Sequence, residues 1–175
     1  MKKIILTVFA ATSLLLYSTQ AFALLSVSVG MPMGHTITDK TIHLAGYDAP
    51  SGFLIGVQLP FAMGLGIDSY KTKLKETEVK LGTDMYNIFY QLPIPVINLI
   101  FGLGVGSGSV EGDGSEDYED STNNQWYTSI GIPLIPLFDI HVSYRSITSK
   151  DGKYKGEKMD SSTSTVMGAG IAFNF

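Results

Sequence analysis

The chain has 175 residues, a length typical of a single domain, with 16 acidic residues against 12 Lys and Arg, for a net charge of −4. An acidic chain lacks the basic surface that contacts to phosphate require, so we expect no nucleic-acid partner. The absence of cysteine excludes disulfides and any site that needs a thiolate.

The N-terminus has the three parts of a secretory signal peptide. Lys2 and Lys3 supply the positive charge, residues 4–16 form an apolar stretch, and "AFA" at 21–23 matches a cleavage site. The apolar stretch is shorter than the ~20 residues that a membrane-spanning helix needs. We therefore predict a cleaved signal peptide at 1–23 and a mature domain at 24–175. Losing Lys2 and Lys3 leaves 10 basic against 16 acidic residues, a net charge of −6.

Strict alternation of apolar and small or polar residues predicts β-strands along the mature chain. The first four segments are residues 24–34, 52–60, 62–70 and 84–92. In the first, one face is predicted to carry Val27, Val29, Met31 and Met33, and the other Ser28, Gly30, Pro32 and Gly34.

Four further segments alternate in the same way, at residues 98–108, 125–134, 137–146 and 167–175. The last one ends the chain, with Ile171, Phe173 and Phe175 on a single face. Terminal residues are commonly polar and frayed, so an alternating apolar C-terminus suggests a strand that faces lipid.

The predicted connections alternate in length. Short ones fall near residue 60, at 92–97 and at 133–136, and long polar ones fall at 35–50, 71–80, 109–124 and 148–161. Three short and four long connections fit an all-β fold, an eight-stranded antiparallel up-and-down transmembrane barrel with both termini on the short-turn side.

The large apolar face is predicted to point outward, because eight strands enclose a lumen only wide enough for side chains. Outward aromatic residues then form two girdles at the membrane interfaces. The girdle toward the long loops has Phe53, Tyr86, Trp126 and Tyr144, and that toward the short turns has Tyr90, Phe138, Phe173 and Phe175. Alternation alone also permits the alternative of a secreted, soluble β-sandwich.

These features resemble the small outer-membrane β-barrels of Gram-negative bacteria, of the OmpX, OmpA-transmembrane-domain and opacity-protein type. The resemblance is carried by "AFA", by "VSYRS" at 142–146 and by the terminal "GAGIAFNF". It implies location in the cell outer membrane, a monomer, and Phe175 as the assembly signal read by the barrel-insertion machinery. The group includes adhesins, small-molecule channels, lipid A-modifying enzymes and structural proteins, so it selects no function.

A histidine and a serine on one strand face raise the possibility of catalysis. His141 and Ser143 are similar to the "HxS" pair of a barrel deacylase of lipid A, although Tyr144 replaces the asparagine of that family. A nucleophile needs a base within reach and a third group to orient that base. The nearest later carboxylates, Asp151 and Glu157, fall in the last long loop, so we interpret the pair as lumen filling.

The long loops carry most of the charge. Residues 111–120 hold six acidic side chains, with no Lys or Arg between Lys80 and Arg145. This acidic loop predicts either a solvated, self-repelling segment or a site for divalent cations that bridge it to lipopolysaccharide. Lys150, Lys153, Lys155 and Lys158 could contact lipopolysaccharide phosphates or simply solubilise the last loop.

Arg145, the sole arginine of the sequence, is predicted to point into the lumen. A buried charge is costly unless it is paired, so we predict an ion pair with Asp68 that plugs the lumen, joined by Asp139 or Tyr70. His141 lies on the same face as Arg145. Glycines in the lumen could leave a passage or let the strands coil tightly.

We therefore predict an outer-membrane protein without catalysis, metal or cofactor, with a structural or surface-interaction role through four long extracellular loops. Outer-membrane lipid and lipopolysaccharide are its expected partners. The alternatives are a narrow channel for small solutes and, third, a lipid A-modifying barrel enzyme.

Overall fold

The computed structural model describes residues 25–38, 47–59, 63–75, 78–92, 94, 97–112, 115–135 and 137–175. The predicted signal peptide lies outside these ranges. Within them, no helix is long and apolar enough to cross a membrane. We number the eight long strands β1 (Ser26–Thr38), β2 (Ser51–Gln58), β3 (Gly64–Lys73), β4 (Lys80–Leu92), β5 (Asn98–Glu111), β6 (Ser121–Ile135), β7 (Phe138–Lys150) and β8 (Ser162–Asn174).

The eight strands form a closed antiparallel barrel, which confirms the predicted fold. Each strand pairs with its neighbours in sequence, and β1 closes the barrel against β8. The ladder continues to the last residue, because Phe175 N donates to Leu25 O at 2.8 Å and Leu25 N donates to Phe175 O at 3.2 Å. Both ends of the described chain thus lie on the side of the short turns.

A belt of apolar side chains covers the outside of the barrel. Leu65 and Tyr86 are both 67% exposed. Gly66 and Asn87, which pair with each other between them and face the lumen, are half-buried and buried. A soluble protein does not expose an apolar surface of this extent. Closure pairs the first strand with the last and leaves no edge strand, so the soluble sandwich is excluded and the belt faces lipid.

The strands reach further toward the long loops than the alternation predicted. The third strand ends at Lys73 rather than at residue 70, and the fourth begins at Lys80 rather than at residue 84. The long connections shrink to residues 39–50, 74–79, 112–120 and 151–161. Beyond the belt the outward side chains are polar, so backbone pairing continues where the alternation of apolar and polar residues ends.

A bulge in β1 places one residue on the face opposite to the one predicted. Pro32 pairs with Gly168 but Gly34 pairs with Met167, so Met33 is inserted without a partner in β8. The insertion turns Gly34 outward, whereas alternation predicted it to face the lumen. Proline cannot donate to the ladder and is found at bulges for that reason.

Candidate functional site

A buried ion pair crosses the lumen. Arg145 Nε on β7 donates to Asp68 Oδ2 on β3 at 2.9 Å, and Arg145 Nη2 donates to Asp68 Oδ1 at 3.3 Å. Both side chains are almost fully buried, at 7% and 2% exposed. Inward alternation on both strands and their similar heights bring the two residues together, at the place where the sequence predicted their contact.

Neutral side chains supply the remaining hydrogen bonds of this ion pair, and the predicted network did not include them. Gln125 Nε2 donates to Asp68 Oδ2 at 2.9 Å and to Asn87 Oδ1 at 2.8 Å. Arg145 Nη1 donates to Ser143 Oγ, and its guanidinium lies 4.7 Å from the centre of the Tyr127 ring. Alternation from Tyr127 would have placed Gln125 inward, but an inward amide alone gives no indication of its partner.

A cluster of apolar side chains lies in the lumen beside the ion pair and on its extracellular side. Tyr70 and Ile147 follow Asp68 and Arg145 by two residues on their strands, and they cluster with Leu54 and Val166. All four are at most 5% exposed. Tyr70 therefore belongs to this apolar cluster beside the ion pair.

Asp139 belongs to a second polar network nearer the short turns. Asn98 Nδ2 donates to Asp139 Oδ2, Asn174 Nδ2 donates to the same oxygen at 3.1 Å, and Gln91 Nε2 donates to Asn98 Oδ1 at 2.7 Å. Asp139 thus does not join Arg145. A cavity of about 50 Å³ lies between the two networks, enough for a few water molecules.

The geometry does not assemble the groups that a serine nucleophile needs. Ser143 Oγ accepts its bond from Arg145, while His141 lines the cavity. Asp139 is held by two amides, and Asp151 and Glu157 lie in the last loop. The arrangement supports the interpretation of His141 and Ser143 as part of the lumen wall.

Two glycines make room for inward aromatic rings. A Cβ on Gly102 would lie 2.1 Å from the ring of Tyr127, and a Cβ on Gly64 would lie 2.3 Å from the ring of Phe89. The rings occupy the space that these glycines leave. At these two positions glycine therefore packs the lumen and does not open a passage.

The third and fourth long loops join in a small sheet, which we call the loop sheet. It consists of the two-residue strands Tyr118–Glu119, Lys153–Tyr154 and Glu157–Lys158. The rings of Tyr118 and Tyr154 lie 4.8 Å apart, and Lys155 N donates to Asp117 O at 2.7 Å. The loops thus form a single ordered surface.

Lysines of the fourth loop neutralise part of the acidic third loop. Lys153 Nζ lies 2.6 Å from Glu119 Oε2, and Lys155 Nζ lies 3.6 Å from Asp117 Oδ2. Among the described residues, which do not include Asp113, no group of acidic and histidine side chains is arranged to hold a metal ion. The sequence could not indicate this pairing, because the partners lie more than thirty residues apart.

The aromatic residues predicted for the interfaces mark the limits of the belt. Trp126 and Tyr144 pack with ring centres 5.7 Å apart, and Phe173 contacts Phe138 at 5.4 Å and Phe175 at 6.5 Å. One step toward the loops, the outward face becomes polar on each strand, at Ser51, Asp84, Asn124 and Ser146 beyond Phe53, Tyr86, Trp126 and Tyr144. Tyr90 lies outward near the opposite end of β4.

Solved structures with the same fold are small outer-membrane barrels. Neisserial surface protein A is 14% identical, covering 86% of this chain and 97% of its own, with a TM-score of 0.61. Ail, the attachment invasion locus protein of Yersinia pestis, is 16% identical over 86% of this chain and 97% of its own, with a TM-score of 0.50. OprG from Pseudomonas aeruginosa is 11% identical over 87% and 96%, also at 0.50.

No family model matches the sequence, and no curated protein matches it. The likeness to solved structures concerns the fold, and the lipid-facing belt supplies the environment. The chain is an eight-stranded transmembrane β-barrel, the fold of small bacterial outer-membrane proteins.

Proposed function

We propose that this barrel has a structural or surface-interaction role, in which the wall anchors an ordered extracellular surface and the lumen carries no solute. One observation supports this proposal above all others. The ion pair of Asp68 and Arg145 and the apolar cluster beside it fill the middle of the lumen. The surfaces left for interaction are therefore the loops and the lipid-facing wall.

Conductance tests the proposal against the narrow channel. We expect the purified barrel, reconstituted in planar bilayers, to show no discrete conductance steps. Arg145→Ala should introduce steps by removing the side chain that crosses the lumen. Steps of the unsubstituted barrel that Arg145→Ala leaves unchanged would instead favour the channel.

The loop sheet is the proposed contact surface. Tyr118 and Tyr154 are 38% and 41% exposed although they pack on each other, and Met159 beside them is 45% exposed. Exposed tyrosines are typical of protein recognition surfaces. Replacing both, by Tyr118→Ser and Tyr154→Ser, should remove this protein-contact surface while leaving the barrel and its binding of lipopolysaccharide unchanged.

Lipopolysaccharide is the partner we propose first, through lysines in and below the loop sheet. Lys150 ends β7 and Lys158 lies in the loop sheet, 76% exposed. Binding of lipopolysaccharide micelles should weaken for Lys150→Gln with Lys158→Gln. Tyr118→Ser with Tyr154→Ser is the matched control, and an equal loss in both pairs would point to a disturbed loop sheet.

We propose no catalysis, and the lipid A-modifying enzyme remains the third candidate. Expression of the barrel should leave the acyl chains of lipid A unchanged by mass spectrometry. Loss of a chain that His141→Ala abolishes would establish the enzyme.

The C-terminal strand is the proposed assembly signal for the barrel-insertion machinery, and we propose a monomer. Phe175 is 65% exposed and its backbone is paired with Leu25. Deletion of Phe175 should lower the yield of folded barrel in cells while leaving folding into detergent intact. Equal yields in cells would remove Phe175 from this role.

A further inference from the structure

The barrel wall is incompletely paired at one place. β1 pairs with β8 from Ser26 to Thr38, but with β2 it pairs only from Ser26 to Gly30. Among the residues that the structure describes, no backbone pair joins β1 and β2 beyond Gly30 and Leu54. We call this unpaired part of the wall, between residues 31–38 and 51–53, the seam.

The seam begins within the lipid-facing belt. Its flanks carry the outward side chains of Met31 and Met33 on β1 and of Phe53 on β2, which are 62%, 64% and 44% exposed. Backbone groups that face hydrocarbon without a partner are costly, so barrels pair their walls throughout the membrane. On the other side of β1, the ladder to β8 reaches Thr38. The sequence itself contributes to the seam, because Pro32 has no N–H and Met33 is bulged.

Apolar residues of the lumen lie directly behind the seam. Leu54 is the last residue of β2 that pairs with β1, and it belongs to the cluster with Tyr70, Ile147 and Val166. Val166 pairs with His35 of β1, so the cluster extends to both sides of that strand. The lumen of an eight-stranded barrel holds only side chains. Beside the seam these are the apolar cluster together with the buried polar Thr72 and, opposite Leu54 in register, Asp68.

Side chains, rather than the backbone, bridge the seam. The ring of His35 on β1 lies 6.4 Å from that of Tyr47, which precedes β2, and 5.9 Å from that of Tyr70 on β3. His35 Nδ1 and Thr72 Oγ1 lie 2.7 Å apart. Rotation of a few side chains can therefore widen the seam, whereas opening any ladder of the wall would break a row of backbone hydrogen bonds.

We propose that the seam is a binding cleft for an acyl chain of an outer-leaflet lipid, which enters between β1 and β2 and packs on the cluster of Leu54, Tyr70, Ile147 and Val166. The cleft is continuous with the lipid-facing belt, so lipid chains are the molecules that meet it at high concentration. Its apolar flanks and the apolar cluster behind them match an acyl chain. This site is separate from the loop sheet.

Fluorescence quenching by lipid tests the cleft. The chain has one tryptophan, Trp126, which faces lipid and can be removed by Trp126→Phe. In that background, Tyr70→Trp places the fluorophore in the floor of the cleft. Tyr127→Trp is the matched control, an equally inward tyrosine of β6 that faces Arg145. In bilayers of phospholipid with brominated acyl chains, we expect strong quenching for Tyr70→Trp and little for Tyr127→Trp.

A disulfide that closes the seam completes the experiment. Continuing the register of Gly30 with Leu54 would pair residue 31 with residue 53, so Met31→Cys with Phe53→Cys locks the two strands in a chain that has no other cysteine. We expect the disulfide to abolish the quenching of Tyr70→Trp and reduction to restore it. Equal quenching of Tyr70→Trp and Tyr127→Trp, or quenching that the disulfide leaves unchanged, would overturn the proposal. Quenching by aqueous iodide in place of the lipid would also overturn it, because it would mean that water fills the cleft.

A labelling experiment covers the case in which Tyr70→Trp does not fold. Phospholipid with a photoactivatable diazirine on its acyl chain should label Leu54 or Tyr70 of the unsubstituted barrel, as mapped by mass spectrometry. Labels confined to outward side chains such as Met31 and Phe53 would contradict the cleft.

Discussion

Two regions of this barrel use the same chemistry with opposite exposure. In the lumen, Arg145 and Asp68 pair at 2.9 Å with exposures of 7% and 2%; in the loop sheet, Lys153 and Glu119 pair at 2.6 Å with exposures of 37% and 56%. The shorter pair is the one we expect to matter less, because water screens it and its side chains lose freedom on pairing. The exposure of each ion pair to water, rather than the distance between its charged atoms, decides how much the pair contributes to stability.

The largest effect should follow the loss of Asp68. Asp68→Ala leaves the Arg145 guanidinium buried without its counter-charge, and we expect the free energy of unfolding to fall by about 3–5 kcal/mol. Trp126 fluorescence during urea unfolding in lipid vesicles measures it. Water from the neighbouring cavity would reduce the loss.

A double substitution distinguishes the pair from the space it fills. Asp68→Ala with Arg145→Leu removes both charges, so the destabilisation should be smaller than the sum of the two single changes. If the two effects simply add, the ion pair does not act as a unit, and the contrast with the loop sheet disappears.

A smaller effect is expected in the second lumen network, because no cation among the described residues forms an ion pair with Asp139. Its oxygen accepts from Asn98 and Asn174, and the neutral oxygen of an asparagine can accept the same bonds. Asp139→Asn should therefore lower the free energy of unfolding by no more than about 1–2 kcal/mol, the difference between a charged and a neutral acceptor. The same urea titration measures it, and a loss as large as that of Asp68→Ala would mean that Asp139 has a cationic partner.

The fold was predictable because the barrel wall has a simple period. Alternation located all eight strands, since one face meets lipid and the other a narrow lumen. It missed the outer ends, such as Lys71 to Lys73 on β3, because the outward side chains beyond the belt are polar and the alternation stops. It misplaced Gly34, because one inserted residue reverses the faces and leaves the composition unchanged.

Of the lumen site, the sequence predicted only the contact between the charged residues, because few charged residues face the lumen. Arg145 is the sole arginine of the sequence, and its position along β7 is at nearly the same height in the barrel as Asp68 on β3. Gln125 and Asn87 were missed because inward amides can pair in many ways. The loop sheet was missed because one of its strands lies far from the other two in sequence and all three are only two residues long. The seam was also missed, since alternation describes each strand but not where its pairing stops.

In the loop sheet, Lys153→Gln should weaken the contact with Glu119 by about 0.2–1 kcal/mol. The free energy of unfolding of the barrel should not change. Hydrogen exchange of the Lys155 amide, which donates to Asp117 O at 2.7 Å, reports local opening of the loop sheet. At low salt this amide should exchange faster in Lys153→Gln than in the unsubstituted barrel. The difference should disappear at 1 M salt, where the Debye length falls to about 3 Å. A difference that persists at high salt would mean that Lys153 contributes packing rather than charge.

The smallest effect should be at the turn between β3 and β4, where the side chains of Lys73 and Glu78 are 37% and 75% exposed. Lys73 Nζ donates to Glu78 Oε1 at 2.9 Å, and this hydrogen bond, followed by the positive charge of Lys73, lowers the pKa of the Glu78 carboxyl. A lowered pKa in the folded state adds stability that is present above the ordinary pKa of glutamate and is lost as pH falls through the lowered value. Lys73→Gln should return the Glu78 pKa toward its ordinary value in an NMR titration. Lys71→Gln is the matched control, because Lys71 Nζ bonds Glu111 instead; an equal shift in both variants would mean that the general field of the lysines, and not the hydrogen bond, sets the pKa of Glu78.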